Sequence, residues 1–287
     1  MYKQEAAPLD RALIARALEE DIGFGDLTTL ATVPAEQTIV ATIITRQPGV
    51  VAGLDIAAAV FQTVDAGLHI EQYVADGTKV QPNDRLMRIE GSARSVLTAE
   101  RTALNFLGRL SGIATLTAAC VAAIAGTRAA IIDTRKTTPG LRALEKYAVR
   151  MGGGRNHRFA LDDGILIKDN HIAAAGGVGV AIARARQHAP HLLKIEVECE
   201  TLEQVQEALD AGADVILLDN MSIGQQKEAV ALIRRRDARV LIEASGNIGT
   251  NPERLAAEAA SGVDFISLGA LTHSAPNFDV SLEYGDK

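Results

Sequence analysis

The stretch "LKIEVECETLEQVQEALDAGADVILLDN", residues 193–220, decides the fold of the larger half of the chain. It opens on one β-rich run, LKIEVEC (193–199), and closes on another, DVILLDN (214–220). Between them Leu202, Val205 and Leu209 recur at helical spacing. Thr201 followed by Gln204 forms a capping box, and Gly212 is a helix stop. Strand, helix, strand predicts two parallel strands joined by a right-handed crossover.

The unit recurs. AAIIDT (129–134), ILIK (165–168), RVLIEAS (239–245) and DFISLG (264–269) are further short β-rich runs, with helical or capping signals between most of them. Six runs, with room for a seventh, predict a closed or nearly closed α/β barrel; an open doubly wound sheet is the alternative. GGVGVA (176–181) lacks the third glycine and the preceding strand of a dinucleotide fingerprint and is read as helix packing.

The first half is α+β. Leu9, Leu13, Ile14 and Leu18 share a helical face over 9–20, and TIVATIITR (38–46) is a β-branched strand. A helix is predicted over 53–64, and a long apolar helix over about 96–125 with a break at Gly112. VADGTKVQPNDRLMRIEG (74–91) resembles the strand-turn pattern of biotinyl and lipoyl carrier domains. Lys79 lacks the exposed hairpin tip that a carrier needs, so the segment is read as structural.

A net charge of −7 argues against broad binding to nucleic acid or an anionic membrane. Any anion must be caught by a local cluster of cations. Cys120 and Cys199 have apolar neighbours and no metal-ligand spacing, which points to a reducing cytoplasm. The N-terminus is charged without a signal-peptide core, and no 18 uninterrupted apolar residues predict a membrane span.

In an α/β barrel the reactive groups sit at the C-terminal ends of the strands. There the runs place Asp133, Arg135 and Lys136; Lys168 and Asp169; Glu196 and Glu198; Asp219 and Asn220; Glu243, Ser245, Gly246 and Asn247; Ser267 and Gly269. A charge where a strand meets water is ordinary, but Lys194, Glu196 and Glu198 fall inside a strand, where an unpaired charge is costly. Residues 133–171 hold eight Lys or Arg and five Asp or Glu, a balance of +3 within an acidic chain. His157 and His171 add further donors. Arg142, Lys146 and Arg150 sit at helical spacing and are read as a solvated face. Arg135, Lys136, Arg158 and Lys168 remain as candidates for holding a compact polyanion. Glu198 and Asp219 offer hard oxygen ligands suited to Mg²⁺ or to sugar hydroxyls, and EASGNIG (243–249) is a loop whose N–H groups suit a phosphate.

DTRKTTPGLRALEKYAVRMGGGRNHRFALDDGILIKDNH (133–171) resembles the central signature of the quinolinate phosphoribosyltransferase family. EDIGFGDLTT (20–29), TAERTALNFLGRLSGIAT (98–115), IEVECETLEQ (195–204), VILLDNMS (215–222) and IEASGNI (242–248) extend the resemblance nearly end to end. It implies an N-terminal α/β sandwich, placed here at 1–111, and an incomplete six- or seven-stranded α/β barrel at 112–276, with a tail, 277–287, packing back on the first domain. It further implies a cytoplasmic, Mg²⁺-dependent enzyme that joins quinolinate to phosphoribosyl pyrophosphate (PRPP) with loss of CO₂, working as a homodimer, or a higher oligomer, with shared sites. Arg135, His157, Arg158 and Lys168 would then hold the quinolinate carboxylates, with Arg101 reaching in from the partner subunit. Lys136 and Lys168 would meet phosphates of PRPP. Glu198 and Asp219 would position the ribose hydroxyls and Mg²⁺, with Glu196 the competing choice for Glu198. Ser245, Gly246, Asn247 and Gly269 would take the 5′-phosphate.

Three rival functions share parts of this pattern. A related phosphoribosyltransferase would act on another ring. A metabolite sensor would not need Glu198 with Asp219. An unrelated aldolase barrel could use Lys168 in a Schiff base.

Overall fold

The computed structural model describes residues 7–285; residues 1–6 and 286–287, parts of the expected first domain and tail, lie outside the described residues. In chain order the elements begin α1 (Arg11–Ile22), α2 (Leu27–Thr32), β1 (Thr38–Thr45), β2 (Gly49–Val50), α3 (Leu54–Val64), β3 (His69–Gln72), β4 (Lys79–Val80), β5 (Arg85–Ser92) and α4 (Ala93–Ala123). There follow β6 (Ala130–Ile132), α5 (Arg142–Met151), β7 (Ile165–Ile167), α6 (Asp169–Ala175), α7 (Val178–His188), β8 (Ile195–Cys199), α8 (Leu202–Asp210) and β9 (Val215–Asp219). The chain ends with α9 (Ile223–Arg236), β10 (Leu241–Ser245), α10 (Pro252–Ala259), β11 (Phe265–Ser267), α11 (Ala270–His273) and β12 (Val280–Tyr284).

The chain divides into two compact units. One comprises the described residues of Met1–Ala118, Thr137–Gly153 and Ser274–Lys287; the other comprises Ala119–Lys136 and Gly154–His273. In the first, β12, β1, β5 and β3 form a sheet in that order, antiparallel throughout. The C-terminal segment thus supplies an edge strand to β1. Lys79 lies in β4, paired with Val50, and not at a hairpin tip. Helix α1 buries Ile14 and Leu18 as its spacing requires, whereas Leu9 precedes the helix and stays exposed.

Helix α4 runs unbroken through Gly112, contrary to the predicted break. The glycine serves packing: a Cβ there would collide with the Pro276 carbonyl oxygen. By length and composition α4 could cross a membrane, but 50% of its most apolar window is buried within the protein, as in a core helix.

Residues 137–153 belong to the first unit although they fall between two strands of the second. The reason is visible in α5. Fully buried Glu145 accepts from Thr138 N at 3.0 Å, Thr138 Oγ1 at 2.7 Å and Arg109 Nη2 at 2.7 Å. Tyr147 donates to Asp76 at 2.7 Å, and Asp76 in turn accepts the N–H groups of Gly53 and Leu54 at the start of α3. Lys146 is buried as well, which overturns the solvated face expected for Arg142, Lys146 and Arg150.

In the second unit six parallel strands run in the order β6-β11-β10-β9-β8-β7. From β7 to β11 each strand pairs with its successor, and β11 returns to pair with β6, the first. A doubly wound sheet reverses direction at a switch point; this order is cyclic and so excludes that alternative. No pairing joins β6 to β7 among the described residues, so the barrel is incomplete there. Arg155 makes a single parallel bridge to Ile132 on the open side of β6. The decisive 193–220 stretch folds as read: β8, then α8 with a Thr201–Gln204 capping box and Gly212 at φ 77°, then β9. Lys194, expected within the strand, is exposed just before it.

Candidate active site

Side chains alternate along a strand, so every second residue faces the barrel interior. Lys168 follows β7; Glu198 comes from β8, Leu217 and Asp219 from β9, Glu243 and Ser245 from β10, and Ser267 from β11. All line one cavity of ≈ 970 Å³ at the C-terminal ends of the strands. Leu217 is in register with Glu198 on one side and Glu243 on the other, which sets these three on one row.

The loops complete the wall. Arg135 and Lys136 follow β6, and His157 and Arg158 come from the segment before β7. Gly246 and Asn247 follow β10, and Gly269 follows β11. Every predicted site residue except Arg101 therefore lines the same cavity. Arg101 is exposed on α4 and belongs to the other compact unit. Thr134, Asn220 and His273 line the cavity too but were not assigned a role from sequence. His273 carries no pattern that would have marked it; it lies in a four-residue helix after Gly269.

Two arginines face the cavity together. Burial, and then repulsion from Arg135, pull the Arg158 guanidinium below its ordinary pKa. The Nε of each is buried with no hydrogen-bond partner among the described residues. A buried donor left unpaired costs roughly 1–3 kcal/mol, so paired guanidinium groups in this condition are matched to an anionic oxygen ligand. Arg158 Nη1 is tied to the Gly164 carbonyl at 2.9 Å, which orients the fork. Lys168 pairs with Glu198 across the cavity wall.

Asp133, read from sequence as a group on the rim, is fully buried. It accepts from His157 N at 2.9 Å and Asn156 Nδ2 at 2.5 Å, and so moors the His157–Arg158 segment to the end of β6. His171 accepts the Lys168 N–H at 3.0 Å and acts as a helix cap.

The two candidate carboxylates on β8 part company. Glu198 reaches the cavity, whereas Glu196 is buried beneath it with Oε2 3.0 Å from His157 Nε2. Glu243 lies 3.7 Å from the same nitrogen. Burial, and then the charge of Glu196, push the Glu243 carboxyl well above the ordinary range, which favours its protonated form.

The phosphate-like corner is built from backbone. Gly246 (φ 92°) and Asn247 (φ 45°) occupy left-handed conformations. A Cβ on Gly246 would lie 2.7 Å from Asn220 N, so only glycine fits. A Cβ on Gly269 would lie 3.0 Å from Lys136 Cδ, and Thr272 Oγ1 holds the Lys136 carbonyl at 2.8 Å.

The chain as a whole resembles proteins of known family. The family model "Quinolinate phosphoribosyl transferase, C-terminal domain" matches residues 113–283, and its N-terminal counterpart matches 26–111. The chain belongs to the quinolinate phosphoribosyltransferase family. A nicotinate-nucleotide pyrophosphorylase [carboxylating] of Mycobacterium leprae is 48% identical over 95% of this chain and 96% of its own length. A mitochondrial quinolinate phosphoribosyltransferase [decarboxylating] of Nicotiana tabacum is 42% identical over 93% of this chain and 80% of its own. The crystal structure of NadC from Streptococcus pyogenes superposes with a TM-score of 0.90 at 43% identity, covering 98% of this chain and 100% of that one.

Proposed function

We propose that the chain transfers the phosphoribosyl group of PRPP to the ring nitrogen of quinolinate, releasing pyrophosphate and CO₂ and leaving nicotinate mononucleotide. The observation that carries this is the pair of cavity-lining guanidinium groups with orphaned Nε atoms, beside two lysines and the Glu198–Asp219 pair. It calls for a ligand with two carboxylates next to one with several phosphates.

In this scheme Arg135, Arg158 and Lys168 hold the quinolinate carboxylates, and His157 steadies that wall. Arg101 of a second subunit closes the same end, which makes the working form a homodimer. Lys136 and Lys168 neutralise the departing pyrophosphate. The N–H groups around Ser245, Gly246 and Asn247, with Gly269, take the 5′-phosphate, a common arrangement after late barrel strands. Lys168 exchanges Glu198 for substrate on binding.

Glu198 and Asp219 supply hard oxygen donors on neighbouring strands, a set that fits Mg²⁺ completed by water and substrate oxygens. When bound, Mg²⁺ would supply charge neutralisation at the pyrophosphate. The same two carboxylates offset the oxocarbenium-like ribose as the C1–O bond breaks and the nitrogen attacks. The pyridinium so formed draws in the electron pair of the adjacent C–CO₂⁻ bond; CO₂ leaves and the ring carbon takes a proton. No protein nucleophile enters, and the acceleration comes from positioning and preorganised charge. A cytoplasmic location belongs to the same proposal, supported by two buried free thiols.

The direct test is purified protein with PRPP, Mg²⁺ and quinolinate, followed by CO₂ and mononucleotide release, with nicotinate as the control. Turnover of quinolinate is expected. Turnover of nicotinate without quinolinate would overturn the assignment.

A further inference from the structure

His157 lies against the least ordinary part of the barrel interior. Two buried carboxylates, Glu196 (7% exposed) and Glu243 (2% exposed), both approach its Nε2. Ligand atoms of the three side chains all fall within 4.8 Å of one another. Two buried acids are expensive, and an apolar pair of the same size would stabilise the barrel better. Their presence therefore asks for a function.

The hydrogen bonds supply one. His157 Nδ1 accepts the backbone N–H of Arg158 at 2.6 Å. A ring nitrogen that accepts carries no proton, so in the neutral ring the proton sits on Nε2 and is donated to Glu196 Oε2 at 3.0 Å. Glu243 Oε2 lies 3.7 Å from the same Nε2, so both carboxylates converge on one edge of the ring. The contacts run from β8 and β10 to the imidazole, and from the imidazole to the backbone of Arg158. At the other end Asp133 grips the His157 N–H and the Asn156 amide. Arg158 is thus fixed from both sides of its segment, in the stretch where β6 and β7 do not pair and a single bridge at Arg155 ties the backbone to β6.

We propose that Glu196 and Glu243 are positioning residues for the acid-binding end of the cavity: they form a buried seat that fixes the His157 ring and, through it, the Arg158 guanidinium. This rests on the function proposed above. Neither Glu196 nor Glu243, though Glu243 lines the cavity, is assigned a substrate contact in this scheme, and the seat serves quinolinate more than PRPP. The seat is read from geometry shared by two strands and one loop.

The test compares the wild type with Glu243→Ala and Glu243→Gln, each first checked for folding by thermal unfolding. Glutamine keeps the side chain's size and its polar end beside His157 and Glu196, and alanine removes both. The expected result is a KM for quinolinate raised on the order of 10- to 100-fold in the alanine variant, with the KM for PRPP moved less than about threefold. Glutamine should restore most of the loss. Amide exchange of residues 155–159 provides a readout independent of turnover: it should quicken by about tenfold or more with alanine and return towards wild type with glutamine. Unchanged exchange in folded Glu243→Ala, an equal rise in both KM values, or a glutamine variant as impaired as alanine would each overturn the seat. If the alanine variant does not fold, exchange in the glutamine variant decides: protection kept supports the seat, protection lost overturns it. Wild-type protein that fails to turn over quinolinate would sink the functional proposal, while the exchange data would still judge the positioning role.

Discussion

At the scale of single residues, Arg135 and Glu243 show how differently two charged side chains can be used. Arg135 presents a fork with an unpaired buried Nε towards the cavity. Arg135→Ala should lower kcat/KM for quinolinate on the order of 10²-fold or more, the loss of a charge-assisted contact of about 3 kcal/mol. Arg135→Lys should not restore it, because an ammonium cannot reproduce a planar bidentate donor. Steady-state kinetics on folded variants decide this, and near-normal turnover would refute the role. Glu243 is the opposite case. Its folded pKa lies well above the ordinary 4.5 because of burial and the neighbouring Glu196. Between about 4.5 and that raised value the folded chain holds a proton that the unfolded chain lacks, so stability falls as pH rises through the window. Glu243→Gln has no proton to take up. Its Tm should exceed that of the wild type at pH 7–8, with the gap shrinking towards zero near pH 4.5. A gap that does not vary with pH would show that Glu243 is ionised in the fold. From sequence, Glu243 was legible as a polar residue near a strand end, and Glu196 as an acid on the same face as Glu198. That the two meet at one histidine depends on the spacing of β8 and β10, two strands apart, and no local pattern carries that information.

At the scale of elements, the barrel strands were legible because hydrophobic runs of β-branched residues recur between capped helices. All six were placed correctly and drawn a residue or two too long at most ends, as polar strand ends blur into loops. What escaped was the use made of irregular residues. Gly112 reads as a helix breaker, yet α4 continues through it because the backbone at Pro276 passes where a side chain would stand. Lys146 reads as surface by its charge, yet lies in a helix most of whose residues are buried. Both follow from contacts between segments far apart in sequence. Gly112→Ala should destabilise the protein by about 1–3 kcal/mol through overpacking against backbone, which cannot rotate away. Chemical denaturation measures this; a change under about 0.5 kcal/mol would mean the chain yields there cheaply.

At the scale of the whole molecule, the notable fact is that Arg101 alone among the predicted site residues is absent from the cavity lining. The cavity as one chain presents it holds Arg135, Arg158 and both lysines, so it is not short of cations for one dianion. On the proposed function, the further arginine would come from a second subunit that closes the site, and symmetric dimers supply such a residue twice over. The consequence can be tested without knowing the interface. Arg101→Ala and Glu198→Ala should each be nearly inactive alone. In a mixed dimer, one site receives Glu198 from the first chain and Arg101 from the second, and is whole; the other site lacks both. Half of randomly exchanged dimers are mixed, so mixing equal amounts under conditions that allow exchange should recover about a quarter of wild-type activity. No recovery, in a mixture shown by mass spectrometry to contain mixed dimers, would place Arg101 in its own subunit's site or outside catalysis. Recovery would show that the catalytic unit is a pair of chains, with the open barrel of each completed by a residue on the long helix of the other.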